Sequence, residues 1–282
     1  VPELPEVETV VSDLQKAGIC GKAICAAHVG WPRTIATHSP RRFHQALQGR
    51  RIDQAWRRAK YIVLGLDNGQ SILIHLRMTG RLNIEPAREE RSRHEHVVID
   101  FDDGSQLRFH DTRKFGRWSL VEDAAEALAH LGPEPMSKAF TASLFAGMLK
   151  GRSRALKPLL LDQSFVAGLG NIYVDEALWE SHLHPLQNAD TLSAEQAADL
   201  RKAIRLVLRR GLRNMGTTLG TGAANFYSVG TRRGRNQDQL KVFRRQGEAC
   251  PRCGTVVERL IVGQRSTHIC PACQVLKKSS RG

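Results

Sequence analysis

No apolar run in this 282-residue chain is long enough to cross a bilayer. The longest, residues 61–66 and 71–76, are strand-sized, against the roughly 20 residues a spanning helix requires. No export signal is expected either. Glu3, Glu6 and Glu8 stand where a signal would carry Lys or Arg and then an apolar stretch. A cytosolic protein is therefore expected. No repeat dominates, which excludes collagen-like and coiled-coil chains, and apolar residues at 41% are too plentiful for a disordered one. Negative charge is in short supply: 28 Asp+Glu face 42 Lys+Arg, a net charge of +14. Cysteine is sparse too, with six residues.

The positive excess favours a polyanionic partner, either nucleic acid or an acidic membrane face. An Arg-preferring genome is the bland alternative. The charge is unevenly placed, with twelve Lys/Arg against one Asp between residues 201 and 245. Beside a cysteine-rich tail, that concentration reads as a phosphate-binding surface more than as a solvated helix face.

Length suggests two domains, each with its own core. Residues 5–17 predict a helix, with Pro5 in its first turn, Glu6 and Glu8 near its positive end and Gly18 as the stop. Residues 61–76 and 96–110 each read as two β runs joined by a turn, Asp67-Asn68-Gly69 and Asp102-Asp103-Gly104. A sheet-rich first domain, sandwich or barrel, follows. Beyond Gly132-Pro133-Glu134-Pro135 the period becomes helical, with helices expected over 137–149, 156–162, 172–180 and 193–212. Residues 214–239 are Gly-rich and carry Arg232, Arg233 and Arg235, a run without regular structure of the kind usually tied to function. The expected division is 1–131, 132–238 and 239–282.

Cys250, Cys253, Cys270 and Cys273 fall in two C-x2-C pairs sixteen residues apart. In a chain without an export signal this spacing indicates metal rather than disulfides. Four thiolates suit tetrahedral zinc and leave no open position for water, so a single structural Zn2+ is expected, supplying stability to a segment too short to fold alone. Cys20 and Cys25 read as buried or incidental thiols.

PELPEVETV (2–10), RAKYIVL (58–64), HLRMTGRL (75–82), DTRKFGRW (111–118), LLLDQSFVAGLGNIYVDEALW (159–179), MGTTL (215–219) and GQRSTHICPAC (263–273) run in one order from end to end. Together they resemble the formamidopyrimidine-DNA glycosylases, which share a superfamily with the endonuclease VIII enzymes, and PELPEVE points to the purine-repair branch. The resemblance implies an α+β multi-domain protein. An N-terminal helix and β-sandwich would be joined to a helical domain with a helix–two-turn–helix motif and a C-terminal zinc finger, with DNA in the cleft. It also implies excision of 8-oxoguanine and formamidopyrimidines from double-stranded DNA, followed by strand cleavage. Monomer is the default.

The implied roles make chemical sense. A proline has a nucleophilic nitrogen only as first residue, where attack on a sugar C1′ gives an iminium that withdraws electrons and acidifies C2′. An α-amino pKa near about 8 leaves roughly a tenth neutral at pH 7. Pro2 is thus the nucleophile and Glu3 the proton relay. By the resemblance Lys60 assists β-elimination and Arg265 δ-elimination, phosphate binding being the alternative for both. Val1 precedes Pro2 in the written chain, and an internal proline has no N–H. The expectation is that valine translates a GTG start codon read as methionine and removed. Retained, it would leave a catalytically silent DNA-binding protein.

Met78, Arg113 and Phe115 match the residues that fill the gap left by a flipped base, Arg113 facing the orphaned cytosine. Asn171 and Arg265 would clamp phosphates, with exposed N–H groups at Gly168–Asn171 forming an anion site. His94, Lys114, Arg152, Arg154 and Lys157 are further phosphate contacts. His96 competes with His94, and His75 reads as structural. Residues 217–238 correspond to the loop that closes over the flipped base, here unusually basic and without an evident acidic reader. Preference for oxidised pyrimidines, as in endonuclease VIII, is the competing substrate reading.

Overall fold

The computed structural model describes residues 2–220, 222 and 225–276; Val1, three residues of the basic loop and residues 277–282 lie outside them. The chain forms two compact units, Val1–His130 with Gly211–Gln237, and Leu131–Arg210 with Asp238–Gly282.

The first unit begins with α1 (Leu4–Lys16), whose Val7, Val10, Val11 and Leu14 are buried at helical spacing. Glu3 caps it and Glu6 reciprocates, its Oε2 accepting from the Glu3 N–H at 2.8 Å. Then follow β1 (Ile24–Val29), α2 (Pro40–Leu47), β2 (Ile52–Arg58), β3 (Tyr61–Leu66), β4 (Ser71–His75), β5 (Arg81–Pro86), β6 (Glu95–Phe101), β7 (Ser105–His110), β8 (Arg117–Val121) and the single turn α3 (Ala124–Ala127). The strands make two antiparallel four-stranded sheets, ordered β1-β6-β7-β5 and β2-β3-β4-β8. Ile62, Leu64, Ile72, Ile74 and Trp118 of one sheet share a core with Val97, Ile99, Leu107 and Phe109 of the other and with α1. The expected helix-plus-sandwich architecture is the one observed, and both predicted hairpins form.

The second unit holds α4 (Ala142–Leu149), α5 (Leu156–Leu160), α6 (Asn171–Glu180), most of α7 (Ala194–Arg213) and the hairpin of β9 (Glu258–Val262) and β10 (Arg265–Ile269). The helix expected over 137–149 is shorter. The Thr141 hydroxyl accepts from the Leu144 N–H and starts α4 there, while 137–141 run as turns that bury Phe140. The β9–β10 turn, Gly263-Gln264, has both residues at positive φ (55° and 61°), as a two-residue hairpin with the sheet's twist requires.

Residues 211–237, assigned by sequence to the helical region, pack within the first unit, because buried carboxylates of α1 hold them. They are also not structureless: short 3-10 turns form at Val229–Thr231 and Asn236–Gln239. Cys20 and Cys25 are both exposed. Among the described residues no helix is long and apolar enough to cross a membrane.

Candidate DNA-processing site

Pro2 and Glu3 are buried at the head of α1. Glu6 holds this end in place. Besides the Glu3 N–H, it accepts the Thr217 N–H at 2.7 Å, so a carboxylate 1% exposed ties the N-terminal residues to the start of the basic loop. The approach is close: a Cβ on Gly216 (φ 79°) would lie 2.8 Å from Glu6 Cγ. Two residues further along α1, Glu8 accepts from Arg57 Nε at 2.6 Å, and Arg57 Nη1 donates to the Ala59 carbonyl at 3.0 Å. Ala59 adopts a left-handed φ of 53° in the turn between β2 and β3, which presents Lys60. Helix α1 thus carries Pro2 and Glu3 at its head and, through Glu8 and Arg57, supports the turn that bears Lys60. His75 pairs with Tyr61 across β3 and β4. Burial, reinforced by the charges of Arg77 and Lys60, lowers its pKa to about 3. Its Nδ1 accepts the Arg77 N–H at 3.0 Å, which keeps it a neutral structural ring.

Met78 and Phe115 are exposed, at 40% and 45%, although each sits beside the core. Met78 lies in the turn after β4, Arg113 and Phe115 in the turn after β7. Asp111, 1% exposed, joins the two turns. Its Oδ1 accepts from the Thr79 hydroxyl and the Arg113 N–H, and its Oδ2 from the Gly116 N–H at 2.7 Å. Each turn closes on a glycine lying flat against Phe109: a Cβ on Gly80 or Gly116 would stand 2.9 or 2.3 Å from that ring. The Arg113 guanidinium stacks on Phe115 at 4.7 Å, and Lys114, at a left-handed φ of 59°, on Trp31 at 4.2 Å. His94 and His96 separate clearly. Burial lowers the pKa of His96, whose Nε2 bonds to the Asp111 carbonyl, whereas His94 remains partly exposed, edge-on to His110.

In the second unit Asn171 is the first residue of α6, and its Nδ2 donates to the Ser266 carbonyl at 2.9 Å. That bond ties the head of α6 to β10 at the residue after Arg265, which is exposed at the start of β10. Lys157 is not a phosphate contact. It is fully buried, donating to Asp175 Oδ1 at 2.5 Å and to the same Ser266 carbonyl at 3.0 Å. Asp175 Oδ2 receives the N–H of His268 at 2.9 Å and faces its Nδ1 at 3.1 Å. The anion site expected at 168–171 is corrected as well. Gly168, Leu169 and Gly170 are buried, and the Gly168 N–H goes to Gln163 Oε1 at 3.0 Å. Arg154 stays half exposed while paired with Asp162 at 2.9 Å. Arg152 donates to the Met148 carbonyl.

The Sγ atoms of Cys250, Cys253, Cys270 and Cys273 lie within 4.8 Å of one another, with pairs at 3.4, 3.5 and 4.0 Å. Tetrahedral zinc with Zn–S bonds near 2.3 Å needs S···S edges of about 3.8 Å, so the cluster fits that ion. Trp179 Nε1 donates to Cys250 Sγ at 3.4 Å, and Arg252 stacks on the same indole at 3.8 Å. The four thiolates form one structural zinc site.

Sequence reasoning passed over Glu6, Arg57, Thr79, Asp111 and Asp175. Each lies within or beside a motif, but its role is to bond backbone and side-chain groups brought from elsewhere in the chain, which spacing does not reveal.

Comparison with known proteins gives these features a family. Residues 1–118 match the formamidopyrimidine-DNA glycosylase N-terminal domain, 131–222 the formamidopyrimidine-DNA glycosylase H2TH domain, and 247–275 the zinc finger found in FPG and IleRS. The chain is 49% identical to a formamidopyrimidine-DNA glycosylase of Protochlamydia amoebophila over 97% of its length and 99% of that protein's. It is 48% identical to one of Herpetosiphon aurantiacus over 97% and 100%. A solved complex of Lactococcus lactis Fpg with abasic-site DNA matches at TM-score 0.89 and 34% identity, covering 97% of this chain and 99% of that one. A complex of a variant of that enzyme with Fapy-dG DNA matches at TM-score 0.90 and 35% identity, covering 97% and 100%. With its helix-capped sandwich, helical region and four-thiolate hairpin, this chain belongs to the formamidopyrimidine-DNA glycosylase family.

Proposed function

We propose that the protein is a base-excision repair DNA glycosylase with AP lyase activity, removing 8-oxoguanine and formamidopyrimidines from duplex DNA in the bacterial cytosol. The observation that carries this reading is the link through Glu6 between the buried Pro2–Glu3 head of α1 and the basic loop at Thr217. A nucleophile at Pro2 and a loop on the base side would both lie against this one helix, which supports the reading.

In the proposed reaction the Pro2 nitrogen attacks C1′ of the damaged nucleotide, the glycosidic bond breaks, and the base leaves with a proton. Glu3 relays a proton to the opening sugar ring. The resulting iminium draws electrons from C2′. Loss of a C2′ proton expels the 3′ phosphate and a second elimination expels the 5′ phosphate, with Lys60 assisting the first and Arg265 the second. A free Pro2 amine is indispensable, so the active protein must lack Val1. Met78, Arg113 and Phe115 fill the vacated stack, with Arg113 donating to the orphaned cytosine. His94, Lys114, Arg154, Asn171 and Arg265 bind phosphates. Zinc holds the β9–β10 hairpin that presents Arg265 and takes no part in bond making. The proposed functional divisions are 1–131, 132–238 and 239–282, with residues 211–237 packed against the first of them.

Borohydride trapping tests the reading. With duplex DNA carrying 8-oxoguanine opposite cytosine, a covalent protein–DNA adduct is expected, together with an intact mass that begins at Pro2. Binding without an adduct would identify a catalytically silent module, and faster excision of thymine glycol would assign an oxidised-pyrimidine enzyme.

A further inference from the structure

Helix α1 presents a second buried carboxylate to the basic loop. Asp13, two turns beyond Glu6, is 6% exposed, flanked along its face by Val10 and Leu14. A carboxylate in that setting is stable only with partners. Both come from the loop: the Ser228 hydroxyl donates to Asp13 Oδ2 at 2.6 Å, and Arg232 Nη1 stands 3.1 Å from Oδ1.

Ser228 and Arg232 are themselves the two ends of one tight turn. The Ser228 N–H donates to the Arg232 carbonyl at 2.8 Å, and Gly230 and Thr231 between them have φ of 68° and 59°. Other contacts seat the same turn on the sandwich. The Gly230 N–H reaches Asn83 Oδ1, Arg81 stacks on Tyr227 at 5.5 Å, and Phe226 and Val229 pack on the core. Arg232 also extends Nη2 to Met215 Sδ, where the chain leaves α7. The turn at 228–232 is therefore fixed at its foot, and Asp13 is the only charged group of α1 that holds it there among the described contacts.

We infer that Asp13, clasped by Ser228 and Arg232, is a positioning residue that anchors the base-side loop to the catalytic helix and so sets the rate of base excision. This rests on the proposed function for its catalytic consequence, though not for the clasp itself. The reasoning is thermodynamic. A buried charge hydrogen-bonded to one residue of a turn and ion-paired with another makes ordering of that turn more favourable, and a coupled pair of this kind changes an equilibrium by about tenfold. Excision needs the damaged base held in place, whereas an abasic site offers no base for the loop to hold. The clasp should accordingly act on the first step and leave the second alone.

The experiment compares the full-length protein with Asp13→Asn, Asp13→Ala, Arg232→Ala and the Asp13→Ala/Arg232→Ala double variant. Amide hydrogen exchange at residues 228–232 is expected to quicken about tenfold in Asp13→Ala. Single-turnover excision of 8-oxoguanine should fall about tenfold, while cleavage of DNA with a preformed abasic site changes less than about twofold. The double variant should be no worse than Asp13→Ala, since the two residues act as one unit. Asp13→Asn, which keeps an acceptor for Ser228, should fall between. Unchanged exchange would overturn the clasp. Equal losses on both DNA substrates would overturn its assignment to excision and locate the defect in α1. If the wild-type protein neither excises nor cleaves, the proposed function fails, and the exchange measurement still decides whether Asp13 anchors the turn.

Discussion

The Thr79 hydroxyl donates to Asp111 Oδ1 at 2.5 Å, across 32 residues of sequence, and joins the turn bearing Met78 to the turn bearing Arg113 and Phe115. The turns bearing the exposed Met78 and Phe115 are thereby tied together from beneath. Asp111→Ala leaves the Thr79 hydroxyl and the Arg113 and Gly116 N–H groups without their shared acceptor. An expected loss of about 2–3 kcal/mol should appear as a lower urea midpoint at unchanged m-value, accompanied by slower excision opposite cytosine. An unaltered midpoint would show that the turns do not depend on this carboxylate.

The second unit has its own buried support. Removing one member of the fully buried Lys157–Asp175 pair leaves an uncompensated charge, at a cost of about 3–5 kcal/mol. Asp175→Ala should therefore destabilise the unit strongly, while Lys157→Met/Asp175→Leu recovers most of the loss because no charge remains. Thermal unfolding of the three proteins checks this. Similar melting temperatures for the single and double variants would contradict it.

Zinc removal should act through geometry. Cys270→Ser, or a chelator, is expected to release one equivalent of zinc, unfold the hairpin behind Arg265 and weaken DNA binding. Trp179, bonded to Cys250 Sγ, provides a fluorescence signal for the same event. Retained DNA affinity in a zinc-free protein would argue that the hairpin needs no metal.

Acid sensitivity follows from the histidines. In the folded protein His75 has its pKa lowered to about 3, and burial also lowers those of His96, His110 and His184. Below about pH 6.5 the unfolded chain takes up protons that the folded one refuses. Stability should thus be level above pH 6.5 and decline as pH falls towards 3, by at most about 1.4 kcal/mol per pH unit from His75. His75→Gln should soften that decline, measured as urea midpoints at pH 7.5 and 5.0. An equally steep decline in the variant would show that His75 does not titrate in this way.

Much of the architecture could be read before any coordinates. The apolar spacing of α1, the Asp-Asn-Gly and Asp-Asp-Gly turns and the C-x2-C pairs are local patterns, each set by backbone geometry or ligand number within a few residues. The ordered motifs placed Met78, Arg113 and Phe115 on turns after strands, where they lie. The chain also announced its positive charge, but not how that charge is used.

What sequence could not supply were the partners of buried polar groups. Lys157 looks like one more member of a basic run until Asp175, eighteen residues on, neutralises it inside the core. The glycines at 168 and 170 suggest an open anion nest, and folding encloses them. Asp13 and Glu6 resemble ordinary helix carboxylates, yet each meets a segment more than 200 residues away. Periodicity and turn chemistry are encoded locally because they depend on neighbours along the chain. Which hydrogen bonds compensate a buried charge depends on neighbours in space, and those exist only once the chain has folded.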